Sequence, residues 1–162
     1  MADSSTLNRP QGWGYLVVQA ALFALLLFGP RTMHGMNEWV PPLALSGSVA
    51  GCVLIIAGFV LAVAGVVYLG RNLTPLPAPK KSSTLVVSGV YRLVRHPIYS
   101  GILCMAFGWG LWLHSWLTIG YASVLFIFFD VKSGYEELLL LQKFPEYAEY
   151  RSRVKKLLPF IY

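Results

Sequence analysis

Apolar and polar positions in this chain fall into long blocks. The first apolar block, "WGYLVVQAALFALLLFG", runs from Trp13 to Gly29 and closes at Pro30. Its length suits a transmembrane helix, which needs roughly 17–25 residues. A cleaved signal peptide is the rival, but only Arg9 precedes the block and no small-residue cleavage site follows. The second block runs from about Leu43 to Gly70 without a charge. Within it Gly47 and Gly51, then Gly58 and Ala62, recur at the four-residue spacing that lets helices pack closely. After a polar connector come "PIYSGILCMAFGWGLWL" to Leu113, a break at His114-Ser115, and "WLTIGYASVLFIFF" to Phe129. Each is short for a full crossing, so together they predict a tight helical hairpin, tilted or partly shielded from lipid.

From Asp130 to Tyr162 the chain is charged and amphipathic. Tyr147, Tyr150, Val154 and Leu157 form one apolar stripe at helical spacing, with Glu146, Glu149, Arg151, Arg153 and Lys155 on other faces. Pro145 suits the first turn of such a helix. The pattern predicts an amphipathic C-terminal helix that lies on the membrane or folds back over the hairpin. Pro75, Pro77 and Pro79 forbid a continuous helix in the connector. The fold class expected is all-α: a polytopic membrane protein with about four transmembrane helices, the last two a short hairpin, plus a cytoplasmic amphipathic helix.

Composition sharpens this picture. Of 162 residues, 56% are hydrophobic and 12% charged, against about 25% charged in globular domains. The net charge of +6 does not point to nucleic acid, because the cations sit in the gaps between apolar blocks. Arg71, Lys80, Lys81, Arg92 and Arg95 fill the central connector, which has no acid, while only Arg31 lies in the first connector's basic count. By the positive-inside rule, both termini and the central connector are expected on the cytoplasmic side. Cys52 and Cys104 lie inside apolar runs without metal-type spacing, and are read as small hydrophobes.

Concentrated polar chemistry lies on that same side, in two pieces. One is "SGVYRLVRHPIYSG", Ser88 to Gly101; the other follows the hairpin, with Glu136 and Glu137 and then Glu149, Arg151 and Arg153. Taken singly, Arg92 and Arg95 are interfacial anchors and the glutamates a solvated helix face. Together they can meet over the open end of the hairpin, making a pocket with an apolar floor and a polar lid.

The order of these motifs resembles the isoprenylcysteine carboxyl methyltransferase family and its phospholipid methyltransferase relatives. "GVYRLVRHPIYSG" is similar to their Arg-His-Pro-x-Tyr-x-Gly motif, "YEELLL" to the paired glutamate after the hairpin, and "FPEYAEYRSRVKKLLPFI" to the tail signature. "LGRNLTP" with "LVVSGVY" matches the family's Asn-bearing connector, so the resemblance covers roughly Leu69 to Ile161. Phe144-Pro145 replaces a Phe-Gly, and "KKL" a proline-glycine stretch.

The resemblance implies one domain over residues 1–162: two spans in 1–70, then a connector, hairpin and tail in 71–162 that form the cofactor site. It implies S-adenosyl-L-methionine as cofactor and a lipophilic small-molecule or lipidated acceptor, a carboxylate favoured and a thiol or amine possible, reached among membrane lipids. Glu136 or Glu137 would take the ribose diol or amino group, His96 and Arg95 the methionyl carboxylate, and Tyr91 and Tyr99 the cation. Gly101 would allow close approach of a helix start. Arg153 is expected to hold the acceptor, with Asn72 (or Arg71) and Glu149 as further contacts. Metal ligation is not expected. Two alternatives stand beside this one: a nicotinamide-dependent membrane reductase of the sterol reductase type, and a non-enzymatic membrane scaffold.

Overall fold

The computed structural model describes residues 12–34, 39–80, 82–159 and 161–162. Arg9 and Lys81, counted above among the loop charges, and Phe160 of the tail motif lie outside them. The described residues form five α-helices: α1 (Trp13–Phe28), α2 (Pro41–Leu69), α3 (Pro97–Trp112), α4 (Trp116–Lys143) and α5 (Tyr147–Arg153). No strand occurs among them; one isolated bridge joins Val94 to Lys155 in parallel.

Helices α1 to α4 run antiparallel to their neighbours in the spatial order α2, α3, α4, α1. The α2–α3 seam is made of glycines. A Cβ added at Gly58 would lie 2.5 Å from the Gly101 carbonyl oxygen, and one at Gly51 2.6 Å from that of Gly108. Gly47 and Gly65 are buried on the same face of α2. The four-residue small-side-chain spacing thus serves helix packing, as expected. Between α3 and α4 the core holds Leu103, Ala106, Ala122, Leu125 and Phe129, with Leu22, Phe23 and Leu26 of α1 packed against it.

Local signals set the ends. Pro97 occupies the first position of α3, where its missing N–H costs nothing, and a residue before proline avoids the helical region, so His96 stays outside the helix at φ −124°, ψ 63°. The turn at His114-Ser115 comes where the sequence breaks: Ser115 Oγ accepts from Thr118 N at 3.1 Å as an N-cap. His114, at φ 53°, is held there by hydrogen bonds of its Nε2 to Ser48 Oγ and the Ala44 carbonyl, both at 2.9 Å.

Two expectations need correction. The fourth apolar helix is not short: α4 continues past Phe129 for 14 further residues to Lys143, because its polar side chains find partners inside the fold. Asp130 accepts from Lys156 Nζ at 2.6 Å, and Lys132 donates to Gln19 at 2.7 Å. At about 1.5 Å per residue, α2 and α4 exceed a hydrocarbon slab, and both are apolar enough to cross one; α1 and α3 have 16 residues each. The amphipathic C-terminal helix is also shorter than the stripe suggested. Tyr147, Tyr150 and Leu157 are buried, but α5 stops after seven residues and Val154 is extended. The backbone beyond is claimed by the Arg95–His96 loop, whose N–H groups donate to Lys155 O at 2.8 Å and Lys156 O at 3.2 Å. Pro145 accordingly lies before α5 and not in its first turn.

A cavity closed by the tail

The α3 start, the end of α4, the tail and the connector converge at one end of the bundle around a cavity of about 360 Å³, within the usual range for small-molecule sites. It draws on both halves of the chain, since Gln19 of α1 and Leu69 at the end of α2 also line it. Apolar Ile98, Ile102 and Leu140 line it, and the proline-rich connector roofs it. Asn72 secures that roof: its Oδ1 accepts from Thr84 N at 3.2 Å and its Nδ2 donates to Thr84 Oγ1 at 3.4 Å.

Beside the cavity lies a buried ionic cluster. Arg95 Nε donates to Glu137 Oε1 at 2.8 Å and Nη2 to Oε2 at 3.3 Å. Its Nη1 donates to the Arg151 carbonyl at 3.1 Å and to that of Val154. Glu137, 2% exposed, also meets His96 Nε2 at 3.0 Å and Arg151 Nε at 3.3 Å. This network joins α3, α4 and the tail, and Ser100 Oγ reinforces it by donating to the Leu157 carbonyl at 2.6 Å. Glu136 turns the other way and lines the cavity. Its Oε1 accepts from Tyr99 OH at 2.5 Å, and its Oε2 lies 3.7 Å from His96 Nδ1. The two ring nitrogens of His96 thus bridge the paired glutamates.

Three tyrosines complete the wall. Tyr150 OH donates to the Tyr91 carbonyl at 2.6 Å, and Tyr91 OH to the Gly65 carbonyl at 3.3 Å. Tyr147, 2% exposed, has a hydroxyl without a hydrogen-bond partner among the described residues. Burial pushes all three phenols well above their ordinary pKa, so each remains a neutral O–H donor. A buried polar atom left unpaired is rare, and Tyr147 lines the cavity.

The structure therefore gathers Tyr91, Arg95, His96, Tyr99, Glu136 and Asn72 at the cavity and sets Glu137 immediately behind them. Gly101 is elsewhere: a Cβ there would lie 2.7 Å from Ala62 N, so its missing side chain admits α2. Arg153 and Glu149 do not line the cavity either. They pair with each other at 2.5 Å on the open face of α5, at side-chain exposures of 67% and 74%, because the short helix turns Tyr147 and Tyr150 inward. Sequence reading missed Tyr147, Tyr150, Lys132 and Gln19 as site residues. For the last two a signal existed: a charge and an amide within largely apolar helices are costly and so point to function. The tyrosines carried no such mark, since an apolar stripe accounts for them.

Comparison with known proteins agrees with this architecture. A family model described as phospholipid methyltransferase matches residues 47–146. A probable protein-S-isoprenylcysteine O-methyltransferase of Oryza sativa subsp. indica is 41% identical over 118 residues, covering 70% of this chain and 62% of the rice protein. The cobalt-zinc-cadmium resistance protein CzcN of Cupriavidus metallidurans is 31% identical over 154 residues, covering 94% of this chain and 65% of CzcN. The chain thus spans less than two thirds of either relative. The solved structure of a eukaryotic intramembrane Ras methyltransferase, isoprenylcysteine carboxyl methyltransferase, superposes with a TM-score of 0.65 at 24% identity, over 99% of this chain and 57% of that one. It shares the fold. With the family model matched over more than half of its length, this chain belongs to the phospholipid methyltransferase family.

Proposed function

We propose that this protein is an integral membrane methyltransferase that uses S-adenosyl-L-methionine to methylate a lipophilic acceptor, a carboxylate first among the candidates. The observation that carries the reading is the convergence of Glu136, His96, Tyr99 and Tyr147 on one cavity beneath the connector. These residues suit a nucleoside-bearing amino acid. A carboxylate accepts from a ribose diol or an ammonium, and aromatic faces favour a nearby cation. S-Adenosylmethionine, when bound, supplies a methyl group on a sulfonium, whose carbon–sulfur bond breaks with the electron pair left on sulfur as the methyl goes to the acceptor.

The chain's own residues align and exclude water, the main demands of an in-line displacement. Glu136 is the carboxylate that faces the ligand. Glu137 acts behind it, fixing the His96 ring and the Arg95 guanidinium. Arg95 has Glu137 and two tail carbonyls as partners, so it positions the tail over the cavity. Asn72 and Thr84 keep the connector closed as the roof. A carboxylate acceptor is already ionised near neutral pH and needs no base.

We further infer four crossings with the cavity at the cytoplasmic face, α1 and α3 completing theirs with flanking residues. Arg71, Lys80, Arg92, Lys143, Arg151 and Lys155 all belong to elements at the cavity end, whereas the opposite end has Arg31 among the described residues. That distribution is the one the positive-inside rule favours.

Titrating the purified protein separately with S-adenosylhomocysteine and NADPH tests the reading. Saturable binding of the first alone is expected, with Tyr147→Phe weakening it. Binding of NADPH alone would replace the methyltransferase with a reductase.

A further inference from the structure

One buried cation in the cavity makes no close ion pair among the described residues. Lys132 lies on α4 one turn before Glu136 and is 2% exposed. Its Nζ donates to Gln19 Oε1 at 2.7 Å and sits 5.2 Å from the centre of the Tyr99 ring. No ion pair among the described residues includes it. An ammonium carries three N–H donors, so one amide oxygen and one ring face leave charge and donors unmet, a costly arrangement when buried.

The Glu136 carboxylate acts on Lys132 from one turn away, but the direct contacts of the nearby acids go to other groups. Glu136 accepts from Tyr99 and faces His96; Glu137 holds Arg95, His96 and Arg151; Asp130 holds Lys156 and Tyr162. Gln19 adds to the pattern. It is an amide in a helix otherwise apolar and aromatic apart from small residues, and with its oxygen turned to Lys132 its two amide N–H donors remain. Lys132, Gln19 and Tyr99 all line the cavity.

We propose that Lys132 and Gln19 form the recognition point for the anionic end of the acceptor, a carboxylate on a lipophilic tail. The proposal rests on the methyltransferase reading above. This recognition point adjoins the methyl donor's contacts through the Tyr99 ring and extends the cavity inward from them. Lys132 and Gln19 lie a turn deeper than Glu136, between α1 and α4, away from the connector and tail. A water-soluble donor meets the connector end, whereas an amphiphile already dissolved in lipid meets the α1–α4 side. The apolar lining of Ile98, Ile102 and Leu140 suits its chain. The role sought in Arg153 thus falls to a cation inside the cavity.

The test compares acid with amide. Binding of N-acetyl-S-farnesylcysteine and of its carboxamide to the purified full chain is measured calorimetrically, with and without saturating S-adenosylhomocysteine; oleate and oleamide are run in parallel. Wild type is expected to prefer an acid by about 30-fold or more, the effect of removing one partner from a buried charge pair. Whichever acid binds more tightly identifies the source of the carboxylate, prenylcysteine or fatty acid. Lys132→Met should abolish the preference and Lys132→Arg retain it, with the loss of acid affinity exceeding any change in S-adenosylhomocysteine affinity. Gln19→Glu, which keeps the lysine but gives it an internal carboxylate, should abolish it too. Equal binding of acid and amide by wild type overturns the proposal, as does a Lys132→Met variant that loses S-adenosylhomocysteine yet keeps the acid preference. Failure of wild type to bind S-adenosylhomocysteine strikes at the methyltransferase reading instead, and the donor-free arm still judges Lys132.

Discussion

Glu137 has Arg95, His96 and Arg151 as partners, while its neighbour Glu136 has one phenol, the edge of His96 and a face on the cavity. Adjacent residues on a helix point about 100° apart, which is why one acid serves the fold and the other the ligand. Substitution should separate these roles. Glu137→Ala leaves a buried guanidinium without its counterion and is expected to destabilise the protein by about 3 kcal/mol or more, read from denaturant or thermal unfolding in detergent. Glu136→Gln keeps a similar shape and should unfold close to wild type while losing S-adenosylhomocysteine binding. Equal unfolding behaviour in both variants, or intact binding in Glu136→Gln, contradicts the division. The glutamate pair was visible in the sequence as a unit; which member faced the cavity depended on helix rotation.

At the scale of elements, the α2–α3 seam decides whether the site exists, because it brings the α3 start beneath the connector that leaves α2. Gly47, Gly51 and Gly58 on its α2 side were legible from spacing alone, whereas Gly101 was expected at the ligand and instead receives α2. Gly101→Ala places a methyl against Ala62 N at 2.7 Å and Ala62 Cβ at 2.8 Å. Such overpacking should destabilise by about 1–3 kcal/mol. Gly120→Ala on α4, where a Cβ meets nothing within 4 Å, should be neutral or stabilise by up to about 1 kcal/mol. Comparing their melting temperatures in detergent checks both; a neutral Gly101→Ala would mean that the seam opens without cost. The tail tells a related story. Its apolar positions were identified correctly, but helical spacing also fitted an extended exit, and only the carbonyls taken by Arg95 and His96 end α5 where they do.

For the whole molecule, the distribution of cations gives the clearest expectation. In a background lacking Cys52 and Cys104, Thr32→Cys at the far end should react with an impermeant maleimide on intact cells. Ser82→Cys in the connector should react only after lysis. The opposite labelling would put the cavity outside, where the positive-inside rule does not place it. Charge reads out as topology because each end of the bundle collects loops from opposite ends of the chain's successive helices.

By itself the sequence determined the helical class, the main apolar blocks, the break at His114-Ser115 and the pairing of an Arg-His-Pro loop with two glutamates. The first three follow from local physics, hydropathy over a helix length and a proline at a helix start, and the last from the order of the motifs across the hairpin and the family they resemble. Only tertiary structure decided that α4 runs on through Asp130 and Lys132, that Arg153 faces outward, and that Lys132 meets Gln19. A charge continues a helix or stays buried according to its partners, and those partners come from segments far away along the chain.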